Sequence, residues 1–483
     1  MSSIADASAH LTVTANQPTA VGSPDARSPT QAKPFLIVIG DAARRGEPPP
    51  PASRLIPIGD LLPIGRAVKG NGWTLSHRRA SSRHAVIRKE ATGYVVSDTA
   101  STNGSFKNGH LVEADAPLSN GDLLFFGGHA AVFRLLTPED AEDIGHGLQS
   151  PFTQVASASL AVARLEAKLR VLAPTSSEVL LVGETGVGKE VYAAAIHAAS
   201  GRKGAFVPVN CAAIPRDLVE SELFGYAKGA HSQAIQPKAG LVDAAVGGTL
   251  FLDELGDMPH SAQAKLLRFL QTREVMPLGA TRAKQLDVRV VAATSRMEPE
   301  ADSPGLRADL VGRMGAAAIT LPALRERRED IGAFIDHQVA ASRTTDTPFE
   351  IDPSLFFALC LYRWPRNIRE LTNVVHTATL FAGVATTMTF RHVPESLLTI
   401  LDPQTSSAEP PRKADGDTSR RPANTRRPPR ELPTRAELER ELSTHQGNVM
   451  RVARALDRHP KVIRRALQQH QIEANAFRVP KRP

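Results

Sequence analysis

The spacing of apolar and polar positions changes character three times along the chain. Between residues 34 and 136 the apolar runs are short and are broken by Gly, Asn and Pro, as at Ile64-Gly-Arg66, Asn103-Gly104, Asn108-Gly109 and Leu118-Ser-Asn-Gly121. Such punctuation predicts short strands joined by tight turns, the layout of an antiparallel sandwich. Between 150 and 400 the pattern alternates. Val179-Leu-Leu-Val182 and Leu250-Phe-Leu252 read as buried strands, and Val191-Tyr-Ala-Ala-Ala-Ile-His197 reads as a helix, so an α/β domain with a parallel sheet is expected. From 433 to 475 the apolar residues return to helical spacing, with Leu438 and Leu442 one turn apart and a stripe at Val449, Val452, Ala453 and Leu456. The expected fold class is therefore multidomain, with an N-terminal all-β sandwich, a central α/β domain and a small C-terminal α-helical domain. Residues 1–33, rich in Ala, Ser, Thr and Pro, are expected to be disordered, and the Pro/Arg/Ser-rich stretch 402–432 to be a stiff charged linker.

Composition sharpens this picture in two places. Cys211 and Cys360 are the only cysteines among 483 residues, which leaves no disulfide framework and fits a reducing compartment. The N-terminus lacks the basic start and apolar core of a signal peptide, and no apolar run reaches the ~18 residues that span a bilayer. A cytoplasmic protein without a membrane partner is expected. The net charge of +8 is unevenly placed: 18 of the 58 Lys/Arg but only eight of the 50 Asp/Glu lie from Pro411 onward. A basic tail of this kind is an electrostatic footprint for nucleic acid.

The chemistry concentrates in two segments. Gly183-Glu184-Thr185-Gly186-Val187-Gly188-Lys189-Glu190 lies between a predicted strand and a predicted helix. Glycines there let backbone N–H groups approach phosphate oxygens at a helix N-terminus, and Lys189 reaches the outer phosphates. Glu190 stands where the strict pattern has Ser or Thr. The second segment, Leu250-Phe-Leu-Asp253-Glu254, ends an apolar strand in two carboxylates. Asp253 is placed to hold Mg²⁺ and Glu254 to orient the attacking water. A nucleoside triphosphate with Mg²⁺ is the expected cofactor.

Four loop signals recur in the first region: Ile64-Gly-Arg66, Ser81-Ser-Arg-His84, Asp98-Thr-Ala-Ser-Thr102-Asn103-Gly104 and Phe106-Lys-Asn-Gly109. Taken singly, the Asn-Gly pairs are hairpin turns. In this order and spacing the region 34–136 resembles the forkhead-associated (FHA) domain. The resemblance implies recognition of phosphothreonine peptides, with Arg66 and Ser81 on the phosphate, Asn103 on the peptide backbone and Thr102 in a lesser role. His84 would brace the loop. Ser82 occupies the position where many members carry arginine, with Arg83 one step later.

Across 150–400 the chain carries Phe206-Val-Pro-Val-Asn210-Cys-Ala-Ala213, Glu220-Ser-Glu-Leu-Phe-Gly225, Leu321-Pro-Ala-Leu-Arg-Glu-Arg-Arg-Glu-Asp-Ile331 and Trp364-Pro-Arg-Asn-Ile-Arg-Glu-Leu371. Together with the phosphate loop this closely resembles the AAA+ domain of sigma-54-dependent transcriptional activators, in which Glu after the lysine is usual. The resemblance implies that Asn210 restrains Glu254, that Arg307 and Arg313 reach a neighbouring subunit's nucleotide, and that Arg369 senses nucleotide from a helical lid. It also places Thr294 and Ser295 as the γ-phosphate sensor, with Ser295 standing where the family usually has Asn. An ATPase with ATP and Mg²⁺ as cofactors, working as a homo-oligomer from dimer to hexameric ring, is implied. Family members carry Gly-Ala-Phe-Thr-Gly-Ala in the loop that touches sigma-54, whereas this chain reads Gly229-Ala230-His231-Ser232-Gln233-Ala234. Histidine offers less apolar contact area than phenylalanine, and Gln233 removes a glycine's backbone freedom.

The segment 433–475 resembles a Fis-type helix-turn-helix, with Pro460 at the first turn of its last helix. Lys461, Arg464, Arg465 and Gln468 are the candidate contacts to DNA. Two functions remain open at this level. One is an enhancer-binding activator that remodels sigma-54 RNA polymerase under control of a phosphothreonine protein or Ser/Thr kinase. The other is a DNA-binding ATPase regulator that does not act on sigma-54.

Overall fold

The computed structural model describes residues 32–42, 54–149, 152–230, 234–295, 305–343, 349–383, 385–394 and 434–444, together with residues 452, 456, 466, 467, 470 and 472. They fall into two compact units, 1–408 and 409–483.

Among the described residues the first unit begins with two facing β-sheets. One has the strand order Leu55–Pro57, Lys33–Asp41, His129–Leu136, Leu123–Phe126, Ser105–Lys107, His110–Leu111. The other runs Trp73–Thr74, Leu61–Gly65, Ala85–Glu90, Gly93–Asp98, Ala116–Pro117. Alternate residues of each strand meet between the sheets, where Leu36, Val38, Ile64, Ile87, Val96, Leu124, Phe126 and Phe133 form the sandwich core. An antiparallel sheet commonly leaves its other face to solvent. Here it does not, because Leu123–Phe126 is buried at every position. Ile39, Leu123, Phe125, Ala130 and Val132 join a second core with residues beyond 324, and Ile37 and Leu136 join a third with Ile144 and Leu148 of the helix Pro138–Gln149.

The central sheet is parallel, in the order Phe206–Asn210, Thr249–Asp253, Arg289–Thr294, Val179–Val182, Ala318–Thr320. It is buried on both faces: Leu180, Leu250, Leu252, Val290 and Ala292 pack on one side, and Val179, Leu181, Phe251, Val291 and Ala293 on the other. This is why its strands read as continuous apolar runs. Their carboxyl ends carry Gly183, Asp253 and Thr294 to one crevice, the usual place for a ligand in an open α/β sheet.

A helical lid follows, with helices Ile331–Ser342, Pro353–Leu361 and Asn367–Ala382. Pro353 opens its helix at the first position, while the Asp352 side chain accepts from Ser354 N at 2.9 Å. The turn into the last helix is built on Trp364, which is fully buried and donates its Nε1–H to Leu359 O at 3.0 Å.

In the second unit Thr434 and Glu437 cap the helix Arg435–Thr444 reciprocally. Leu438 and Leu442 are buried against Val452, Ala466 and Leu467, with Leu456 and Ile472 at the edge. Among the described residues no helix is long and apolar enough to cross a membrane.

His129 lies buried in the sandwich, where its Nε2 accepts from Ser76 N at 3.1 Å. Burial pushes its pKa down to about 4, against some opposing pull from Asp41. The unfolded chain, with histidine near 6.5, binds this proton more tightly. Stability is therefore full above about pH 6.5 and falls toward pH 4, by about 3 kcal/mol from this one group. His129→Gln should flatten that acid limb; thermal midpoints measured across the same range should show it.

Candidate functional site

The strand Val179–Val182 runs straight into the turn 183–188, which opens the helix Lys189–Ala199. Gly186 and Gly188 hold φ of 82° and 104°, the left-handed region that glycine enters without strain. At Gly186 no side chain would fit in any case, since a Cβ would stand 2.3 Å from Arg366 O of the lid. A cavity of about 710 Å³ opens beside the start of the helix, lined by Thr185–Tyr192, Asn210, Asp253, Glu254, Ser295 and Arg369, and by Ser157, Asp330, Phe334 and His337. A helix N-terminus, a buried lysine and apolar groups such as Val187 and Phe334 around one cavity suit a nucleoside phosphate.

Lys189 is buried. Its Nζ donates to Gly183 O at 3.0 Å and to Glu254 Oε1 at 3.3 Å. Glu254 carries φ of 51°, a conformation that costs a non-glycine residue energy and that tends to mark functional positions. Its Oε2 accepts from Ser295 Oγ at 2.7 Å and Ser295 N at 3.1 Å. Burial opposes the charge on Glu254, but the Ser295 hydrogen bonds and Lys189 outweigh it and hold the carboxyl below its ordinary value. Asp253 next to it is pushed up, by burial first and then by the Glu254 charge. Two adjacent carboxyls with opposite shifts are suited to different tasks.

Asn210 lines the same cavity, but its side chain accepts from Ala212 N at 3.0 Å and caps the short turn Cys211–Ala213. The groups that hold Glu254 here are Ser295 and Lys189, rather than the asparagine expected to restrain it. Ser295 holds Glu254 with two donors, its hydroxyl and its backbone N–H. Thr294 is buried at the strand end. Arg307 forks onto Asp309 at 3.0 and 2.7 Å, and Arg313 is half exposed beside Glu178 at 3.5 Å. Neither lines its own chain's cavity.

No motif had assigned a role to Arg325, Arg327 or Asn367. Glu184 takes a two-pronged grip from Arg325 at 2.8 and 2.5 Å and a further bond from Asn367 Nδ2 at 3.1 Å, and the Arg325 guanidinium holds its carboxyl down to about 2. Asn367 also accepts from Leu324 N at 2.8 Å. Arg327 donates to Val187 O at 2.9 Å, and Arg369 N donates to Gly186 O at 3.3 Å. The phosphate loop is thus clamped by the lid. Both clamping runs were visible as motifs, but nothing in their spacing said which side chain meets the loop.

In the sandwich, Ser81 Oγ accepts from Thr102 N at 3.0 Å, and Arg66 N donates to Ser81 O at 2.9 Å. His84 is buried beneath them. Its Nδ1 accepts from Ser81 N at 3.0 Å, and its Nε2 lies 3.2 Å from Gly104 O. The Asn103 amide donates to Arg79 O at 2.7 Å. Arg66, Ser81, Thr102 and Asn103 therefore share one loop cluster. In the loop 229–234, Gly229 N donates to Ala234 O at 2.8 Å and Ala230 N to Ala227 O at 3.2 Å; His231, Ser232 and Gln233 lie outside the described residues. So do Lys461, Arg464, Arg465 and Gln468.

Residues 155–320 match the sigma-54 interaction domain family, 325–410 the AAA+ ATPase lid domain and 62–127 the FHA domain. The transcriptional regulatory protein GlrR of Escherichia coli (strain K12) is 36% identical over 328 residues, which cover 65% of this chain and 67% of that protein. The chain belongs to the sigma-54-dependent transcriptional regulators. The sigma54-dependent transcriptional activator SfnR of Pseudomonas putida is 45% identical over 226 residues, 46% of this chain and 62% of SfnR. A crystal structure of NtrX from Brucella abortus in complex with ATP is similar at 28% identity and a TM-score of 0.45, covering 65% of this chain and 69% of that one. The chain spans 35% of the length of one curated E. coli relative and 45% of the nitric oxide reductase transcription regulator NorR1 of Cupriavidus necator. Within this regulator the central domain is an AAA+ ATPase, and the N-terminal sandwich is an FHA domain.

A charge-assisted hydrogen bond is worth roughly 1.5–3 kcal/mol. Ser295→Ala should accordingly lower turnover by about tenfold or more while nucleotide affinity changes little, and Ser295→Thr should restore it. Steady-state phosphate release and nucleotide titration on the same preparations would check this.

Proposed function

We propose that this regulator couples ATP hydrolysis between its own subunits to remodelling of sigma-54 RNA polymerase, under control of a phosphothreonine ligand on the FHA domain. The observation that carries the reading is the convergence of Lys189, Glu254 and Ser295 on one cavity whose floor is a phosphate loop clamped by a lid. Bound ATP with Mg²⁺ supplies the phosphoanhydride bond whose hydrolysis does the work. The chain's residues bind and orient. The 183–188 turn and Lys189 take the phosphates, Asp253 holds the cation, and Glu254 accepts a proton from water. Among the described residues no group of three or more acidic, His or Cys side chains could hold a metal alone, so a cation at Asp253 depends on phosphate oxygens to complete its shell. Ser295 keeps Glu254 charged and aimed.

Arg307 and Arg313 serve a neighbouring subunit, which requires a homo-oligomer, assembled from dimers into a hexameric ring. An arginine supplied in trans stabilises transition-state charge and contributes roughly 10³–10⁵ in rate in other enzymes. The basic segment from 433 holds the ring on upstream DNA. On the FHA domain Arg66 and Ser81 bind the phosphate and Asn103 the ligand's backbone, with Thr102 supporting Ser81. Arginine and hydroxyl donors match a phosphate dianion. A Ser/Thr kinase or its substrate is the partner.

A second reading has one feature in its favour. His231, Ser232 and Gln233 replace Phe, Thr and Gly in the sigma-54 contact loop, so the ATPase of a DNA-bound regulator would act on another target. Open-complex formation by purified sigma-54 polymerase with ATP decides between the two. Open complexes are expected, and ATP turnover without them would establish the second reading. Arg66→Ala should weaken phosphothreonine-peptide binding at least tenfold in a titration; unchanged binding would remove Arg66 from the site.

A further inference from the structure

One helix separates two sites that have so far been treated apart. Phe334, His337 and Gln338 of the helix Ile331–Ser342 line the nucleotide cavity. Ile331, Ile335 and Val339 on its other side are fully buried in a core shared with Ile39, Leu123, Phe125 and Val132 of the FHA sheet. The contact reaches the backbone: a Cβ at Gly332 would stand 2.0 Å from Ile39 O. The helix can therefore move only if the sheet moves with it or parts from it.

The polar contacts just before the helix repeat this two-sided arrangement in consecutive residues. Glu329, almost fully buried, faces the sandwich. Arg134 donates to both its carboxylate oxygens at 3.1 and 3.0 Å, and Arg54, itself buried, donates to Glu329 O at 2.7 Å. Asp330 faces the other way and lines the nucleotide cavity, accepting from Ser157 Oγ at 2.6 Å and Ala158 N at 2.8 Å. A shift of one carboxylate thus displaces the other.

The lid also touches the peptide-reading loops. Arg79, whose carbonyl takes the Asn103 amide, pairs through its guanidinium with Asp352 at 3.3 Å. Asp352 caps the lid helix Pro353–Leu361, and Ile351 N beside it donates to Ala42 O at 2.8 Å. Phe357 of that helix packs at a tilt against Phe125 and Phe106, with ring centroids 4.5 and 5.3 Å away.

We infer that the FHA sandwich backs the lid helix that walls the nucleotide site, so that ligand binding at its Ser81–Asn103 loops and nucleotide binding beside Lys189 change each other's affinity through the lid. A peptide backbone that takes the Asn103 amide removes the hydrogen bond on Arg79 O and alters the Arg79–Asp352 pair at the end of a lid helix. A nucleotide that moves Asp330 and Phe334 pushes the other way, onto Glu329, Arg134 and the sheet. Linkage makes the two effects equal in free energy, and couplings of this kind typically amount to about 5–150-fold. Packed two-sided elements with discrete positions are a physical route for such coupling.

The inference rests on the nucleotide-site reading, and it can be tested without knowing the peptide. Hydrogen exchange of the full-length chain is followed with and without ADP, with a fluorescent ADP analogue to measure affinity. In the wild type, ADP should change exchange at residues 77–84 and 101–104 by about fivefold or more. Arg79→Ala, a substitution at an exposed site, should bind ADP normally but lose that distant response. Arg134→Met should weaken ADP binding by about tenfold. Normal ADP binding with unaltered exchange in both wild-type loops would overturn the coupling alone. Absence of ADP binding in the wild type would overturn the nucleotide site and the coupling with it.

Discussion

The burial of both faces of the FHA domain's larger sheet is the constraint on which the rest of the first unit depends. Each apolar face removed from water contributes roughly 25 cal/mol per Å², and the outer face of Lys33–Asp41, Leu123–Phe126 and His129–Leu136 meets the lid and the helix Pro138–Gln149 rather than solvent. The lid is in the same position, since its helices carry apolar residues on more sides than the AAA+ sheet can cover. The helix Pro353–Leu361 shows this in its sequence, Pro-Ser-Leu-Phe-Phe-Ala-Leu-Cys-Leu, which has no polar face. Such a helix must be surrounded, and the sandwich supplies one of its walls.

The clamps at the phosphate loop follow from this packing. Arg325, Arg327 and Asn367 reach Glu184, Val187 and Thr185 from a lid that is held from behind. Asn367 and Trp364 adopt positive φ, which costs energy and persists where surrounding contacts over-determine the backbone. The lid therefore stands ready around the cavity instead of being assembled by the nucleotide. The same holds for Glu254, whose carboxylate is already oriented by Ser295 and Lys189.

Much of this was legible in the chain. The buried parallel strands announced themselves as continuous apolar runs, and Gly183–Lys189 with Asp253-Glu254 located the cavity. The Asn-Gly pairs marked the loops that bring Ser81, Thr102 and Asn103 together. What local patterns did not reveal were long-range meetings. The partner of Glu184 lies 141 residues away in Arg325, and that of Glu329 lies 195 residues away in Arg134. Periodicity tells which face of a strand is apolar but not what will cover it. The double burial of Leu123-Leu-Phe-Phe126 was visible as a run without alternation, a hint of a second covering layer. Asn210 illustrates the opposite limit: a residue recognised from its motif turned its side chain to its own backbone, and a serine two strands away engaged the glutamate.

Gly332 has a consequence for how such regulators are assembled in evolution. Regulatory proteins are often described as cassettes in which a sensor module is exchanged while the motor is kept. At Gly332 the motor's lid has no room for a side chain, because the sensor's backbone fills the space. A sensor spliced in from elsewhere would meet a hollow shaped for Ile39 and an unpaired carboxylate at Glu329. Each module therefore limits the substitutions open to the other.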